Sequence, residues 1–297
     1  MEDLYFELWK SLSKDGKEAL MKDIMQKPYF PFKFIGIKMY EENNFAVFED
    51  EDKKQFVFVP GRKNVTLGWN SKSCALSEKT IAFMKGYLKE ELQYELEMWN
   101  DAINDEGLTE EEREDYKNNK PEEKNIEDWI KYIDSVMSPV RNVDIAPMIV
   151  EVSPLPVKRG YKAAIKSPFT LPTEDEWEYL RGCGERTLFY CEDFVEEVLN
   201  VIYGISMSDT DFSEKPNMFG LFFDSSTYVY EMVNSECFVK GADGGGSVCG
   251  GDGFFYTAPI LSPFYRGETR KEHSNLDAFK YDNILERFYS YRRIMHI

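Results

Sequence analysis

The chain has 297 residues, with 36 basic and 54 acidic side chains and a formal net charge of 36 − 54 = −18. That balance excludes recognition of a nucleic-acid backbone, which needs clustered Lys and Arg, and no apolar run approaches the ~18 residues that cross a membrane. Hydrophobic residues at 42% and aromatics at 15% place the chain among ordered globular proteins, long enough to bury about three quarters of its unfolded surface.

The charge is uneven. Residues 90–128 hold sixteen acidic and four basic side chains, 4 − 16 = −12, which is two thirds of the whole excess. Such a run forms either a solvated helical face or a docking surface for a basic protein partner. The five cysteines, at positions 74, 183, 191, 237 and 249, are odd in number and irregularly spaced, as reduced thiols of a cytoplasmic protein are. MEDLYFELWK lacks the basic segment of a secretory leader.

Taken in order, Leu4 to Met25 predicts two short helical pieces, divided near Ser13 to Gly16 and ended by Pro28 and Pro31. FKFIGIKMY, FAVFED and QFVFVP then alternate with the turn-like EENN and EDEDKK, the pattern of an antiparallel meander. Residues 76–137 predict helices, one opened by a capping box at Thr109 and Glu112 and another by NIEDW after Pro121. Ile145 to Val152 returns to strand.

Phe169 to Arg181, FTLPTEDEWEYLR, carries the strongest local signal. Thr173 and Glu176 form a capping box, Glu174, Asp175 and Glu176 complement the positive helix end, and Pro172 and Trp177 stand at the spacing of a hydrophobic staple. Later, Pro216 to Val233 reads PNMFGLFFDSSTYVYEMV, Val239 to Arg266 opens VKGADGGGSVCGGDG, and the tail is YSYRRIMHI.

Leu171 to Tyr179 resembles the L-P-T-E-A-E-W-E-Y signature of the formylglycine-generating enzyme, or sulfatase-modifying-factor, family. Pro216, Asn217, Phe219, Gly220, Leu221 and Glu231 are similar to that family's P-N-A-F-G-L-Y-D-M-S-G-N-V-W-E-W-V, and the tail resembles its closing G-F-R strand. FVFVPGRKNVTLGW at Phe56 to Trp69 is similar to the family's entry, while LFYCED at Leu188 to Asp193 stands where the family has a segment like L-Y-P-W-G-D. The resemblance implies an α+β, C-type-lectin-like domain over residues 56–297, with a helical insertion at about 76–137 and a helix and meander extension at 1–55. The family's calcium-holding Asn is replaced by Tyr228, so the resemblance does not carry calcium over.

Catalytic members of the family hold copper between two cysteines near the Gly-rich block, and soft thiolates suit Cu(I). Here only Cys249 lies in that block, with Cys237 before it. A related branch binds iron with three histidines, whereas this chain has two, His273 and His296. Gly241 to Gly253 holds seven glycines in thirteen residues, either for close loop packing or to line a ligand site with Asp243, Cys249, Asp252 and Arg266. Three readings follow: a non-catalytic module binding a small molecule, peptide or protein; a copper-dependent cysteine oxidase using Cys249 with Cys237; and an interaction protein acting through its acidic helical arm.

Overall fold

The computed structural model describes residues 2–27, 30–189, 216–224, 226–235, 238–250, 253–267 and 282–297. Helix α1 (Phe6–Ser11) and helix α2 (Lys14–Met25) precede a meander of β1 (Lys33–Tyr40), β2 (Asn43–Glu49) and β3 (Gln55–Val59). Ser13 caps α2 by accepting from the Gly16 N–H, which turns the sequence break near Ser13 into a second helix start. The first hairpin is tighter than EENN predicts: Asn43 and Asn44 already belong to β2, and Glu41 takes the left-handed φ of 51° that a short turn needs.

Strands β4 (Arg62–Leu67) and β5 (Arg141–Ile145) form a separate ribbon, and β6 (Met148–Glu151) follows, so Pro147 splits the expected single strand in two. A proline cannot donate to a sheet ladder, and here it stands between the two sheets. The larger sheet has the order β1-β2-β3-β6-β11, all antiparallel, where β11 is Ile294–His296. β2 and β3 are thus neighbours in one sheet, so residues before and after position 55 share a core. Trp9, Phe45, Phe48, Phe56 and Phe58 fill that core together with Tyr179, Leu180, Phe219 and Ile294.

A second, smaller sheet runs β7-β10-β8-β9, from Leu155–Pro156, Tyr289–Tyr291, Tyr230–Met232 and Val239–Lys240. β10 and β11 are consecutive yet lie in different sheets, and the turn between them is Arg292-Arg293. The tail is therefore a covalent seam of the two sheets, as is the short link from β6 to β7. Its position is fixed further by Thr170, whose N–H and C=O pair with Ile294 at 2.9 Å in both directions.

The insertion consists of α3 (Glu78–Ile103), α4 (Glu110–Asn118) and α5 (Ile126–Val136). Ser77, Thr109 and Asn125 cap them in turn, and Thr109 with Glu112 completes the anticipated capping box. α5 buries Ile126, Trp129 and Ile133 on one face, at the 3–4 residue spacing of an amphipathic helix. These pack with Met84 and Leu88 of α3 against Phe254, Phe255 and Phe264 in a separate core. No described helix is long and apolar enough to cross a membrane. The architecture is a mixed α+β body with long loops and mainly antiparallel sheets, the β10–β8 pair being parallel.

Candidate functional site

The site forms around α6 (Glu174–Gly182). The capping box at Thr173 is present, with the Thr173 hydroxyl accepting from the Glu176 N–H and the Glu176 carboxylate accepting from the Thr173 N–H at 2.8 Å. Its remaining oxygen faces His296 Nε2 at 2.5 Å. Burial alone would raise the Glu176 carboxyl; the hydrogen bonds from His296 and Thr173 outweigh it and hold the group below its ordinary range. The same hydrogen bond raises His296, against the opposing effect of burial.

α6 is buried from Glu176 through Gly182. Glu174 and Glu178, four residues apart, project on one side, where the Lys240 ammonium lies 3.3 Å from the first and 2.9 Å from the second. Arg141 reaches across from β5 to Asp175 and lies 3.1 Å from Glu178, an ion pair bent away from hydrogen-bond geometry. Arg266 approaches Glu174 at 3.4 Å. Burial would raise the Glu174 carboxyl, but Lys240, Arg266 and Arg141 together pull it below its usual value. Glu178 and Lys240 are almost fully enclosed, and charges so buried persist only because each is paired.

The segments that follow α6 are tied to it by the residues of the sequence motifs. The Asn217 amide donates to Leu180 O at 2.8 Å, while its oxygen accepts from the Phe219 and Leu221 N–H groups. Phe219 lies against Tyr179, and Gly220, at a φ of +79°, is where the Tyr40 ring comes so close that an added Cβ would overlap it. Glu231 of β8 takes the Arg292 guanidinium at 2.8 Å. Arg293 pairs with Glu151 at 2.7 Å and Asp50 at 3.1 Å.

The glycine-rich stretch is used for close packing. Gly241 lies against the Trp177 ring, Gly244 against Tyr230 and Gly245 against Tyr228, and a Cβ at Gly245 would fall 2.2 Å from the Tyr228 ring. Asp243 organises this loop by accepting from the Gly245 N–H at 2.8 Å and the Ser247 N–H at 2.7 Å. α7 (Gly246–Gly250) then carries Cys249 to the surface, where its sulfur lies 3.5 Å from the Tyr228 hydroxyl. That contact raises the Tyr228 hydroxyl above its ordinary value, ahead of a smaller effect of burial.

The sequence candidates therefore separate into distinct positions. Asp243 shapes the loop, Cys249 is an exposed thiol beside a phenol, and Arg266 is held by the α6 ion lattice. Asp252, Cys237, Cys191 and His273 lie outside the described residues, and LFYCED is described only through Phe189. Among the described residues, no group of three or more His, Cys, Asp or Glu side chains is placed to hold a metal ion. Two surface grooves lie elsewhere, one of about 380 Å³ at Tyr5, Phe6, Arg62 and Lys63 and one of about 430 Å³ between Leu88 and Ile126. Sequence reading passed over Lys240 and Arg141, since hydrophobic periodicity carries no sign of a buried cation; the i,i+4 spacing of Glu174 and Glu178 was the available clue. No family model, curated protein or solved structure matches the chain.

Proposed function

We propose that this chain is a divergent member of the formylglycine-generating enzyme-like family that keeps the scaffold as a non-catalytic binding module. Under this reading the α+β body is a C-type-lectin-like domain with an N-terminal extension and an acidic helical insertion, located in the cytoplasm where its thiols stay reduced.

The observation that carries the proposal is the convergence on α6 of segments far apart in the chain, through the side chains that carry the resemblance. Thr173 and Glu176 close the cap, Asn217 ties the PNMFGL segment to the end of the helix, and Glu231 anchors the tail. These are scaffold contacts, and they support retention of a fold. The chemistry left at the surface is a thiol and a phenol, Cys249 and Tyr228, at the end of a loop shaped by Asp243. That pair offers a polarisable sulfur and an O–H group to a small molecule or peptide.

The test is a ligand-observed NMR fragment screen on the native protein and on protein alkylated at Cys249. The reading expects bound fragments that are lost on alkylation, whereas fragments indifferent to it would overturn the assignment of the site. Anaerobic titration with Cu(I) separates the copper-dependent oxidase: one copper per chain with Cys237 and Cys249 both protected from alkylation would replace the binding module by the enzyme.

A further inference from the structure

We infer that the hairpin of α3 and α4 is a docking surface for a Lys- and Arg-rich amphipathic segment of another protein. The inference stands apart from the ligand reading of the Cys249 loop and involves a different face of the molecule.

The argument begins with what holds the hairpin and what it leaves uncovered. At 26 residues α3 is about 39 Å long, but its buried residues, Thr80, Met84 and Leu88, all lie in its first half. α4 has no buried residue at all. The hairpin is nonetheless built to one shape. The Trp99 indole donates to Tyr116 O at 2.7 Å, Lys120 lies over the Trp99 ring, and Arg113 donates to Ile103 O at 2.5 Å and Asp105 O at 3.1 Å, closing the C-terminal end of α3. An element fixed in this way, yet contributing so little to the core, presents a surface.

That surface is both acidic and apolar. Six large hydrophobic side chains are exposed among the described residues, and three of them, Tyr94, Met98 and Tyr116, belong to this hairpin. Tyr94 and Met98 are four residues apart and share one helix face. Glu90, Glu97 and Asp101 are exposed along the same side, and among the described residues none of the three has a cationic partner. Within residues 90–128 the charge is −12, which repels nucleic acid and anionic lipid and attracts a cationic segment.

Charge alone would accept any polycation. The aromatic and thioether pair asks for more: apolar residues at helical spacing to cover Tyr94 and Met98, with Lys or Arg between them to meet the carboxylates. A tyrosine ring also receives a cation on its face, and methionine adapts its shape to an irregular partner. The occupant is thus a basic helix with one apolar stripe.

The experiment uses the full chain and two fluorescein-labelled synthetic peptides of equal charge, one repeating Leu-Lys-Lys-Leu and one with every Leu replaced by Ser. Anisotropy titrations should show the Leu peptide binding about tenfold or more tightly than the Ser peptide. The double variant Tyr94→Ala, Met98→Ala should remove that advantage without changing the Ser peptide. The triple variant Glu90→Gln, Glu97→Gln, Asp101→Asn should weaken both peptides and flatten their salt dependence. All five positions are exposed, and unchanged circular dichroism confirms folding. No binding of the Leu peptide, or equal binding to the wild type and to the Tyr94, Met98 double variant, would overturn the inference.

Discussion

Replacing Arg292 by Met should show how the seam between the two sheets is held. The guanidinium is fully buried and donates to Glu231 at 2.8 Å, to Glu151 O at 2.8 Å, to Val152 O at 3.0 Å and to Phe222 O at 2.6 Å, with the Phe223 ring 4.2 Å from its central carbon. Met fills most of the aliphatic volume but strands the Glu231 carboxylate, itself 5% exposed. Breaking a buried pair from one side costs about 3–5 kcal/mol. An unfolding entropy of ~2.1 cal/mol/K per residue gives ~0.6 kcal/mol/K for a chain of this length, so Tm should fall by about 5–8 °C. Adding Glu231→Gln removes the stranded charge and should recover about half of the loss, the remainder being the carbonyls that lose a donor. Differential scanning calorimetry of both variants decides the matter. A double variant that melts no higher than Arg292→Met alone would refute the claim that an unpaired charge dominates.

Thr173→Ala removes the cap of α6 and should cost ~1–2 kcal/mol by urea denaturation, more than Thr109→Ala, whose helix α4 buries nothing. His296 has a raised pKa in the folded protein because Glu176 faces it, so its contribution is complete below the unfolded value of about 6.5 and is lost as pH rises through the higher folded value; stability of the wild type should decline above pH ~6.5 relative to His296→Gln, and parallel pH profiles would count against the pair. Gly245→Ala forces a side chain into a φ of +78° and onto the Tyr228 ring, and should destabilise by about 1–3 kcal/mol or displace Tyr228. Among the three free described thiols, Cys249 is exposed and Cys183 is buried with its pKa pushed up to about 12, so mass spectrometry after brief iodoacetamide treatment should find Cys249 modified and Cys183 intact.

Much of the architecture was legible because it is written locally. Capping boxes at Thr109 and Thr173, the Ser13 break and the three alternating strands each depend on residues within a few positions of one another. The misjudged details are those decided at a distance. Ile145 to Val152 looks like one strand until Pro147 leaves β5 to pair with β4 and β6 with β3. The tail reads as one strand, yet Arg292 and Arg293 divide it between two sheets because their carboxylate partners, Glu231 and Glu151, lie in different ones. For the candidate site, composition pointed to the glycine run but not to its use. Only the structure shows Trp177, Tyr230 and Tyr228 occupying the space that side chains at Gly241, Gly244 and Gly245 would need.

The buried ions around α6 bear on what kind of molecule this is. Lys240, Glu178, Glu174 and Arg141 form a lattice in which every charge needs at least one neighbour, and well-packed apolar residues could fill such a space with equal or greater stability. The lattice joins β5, α6 and β9, and a single register satisfies it, since sliding β9 by one residue would turn Lys240 to the opposite face and leave Glu178 buried and unpaired. β8 is hydrogen-bonded to β9 and continues to Thr227 and Tyr228 on one side, while Lys240 leads directly into the loop of Asp243 and Cys249 on the other. The register at Lys240 thus runs on into the loop that the Asp243 and Gly245 N–H groups tie to Thr227 O, beside Tyr228, and Lys240→Met should disturb the reactivity of Cys249, read as its rate of alkylation, although the two residues share no contact.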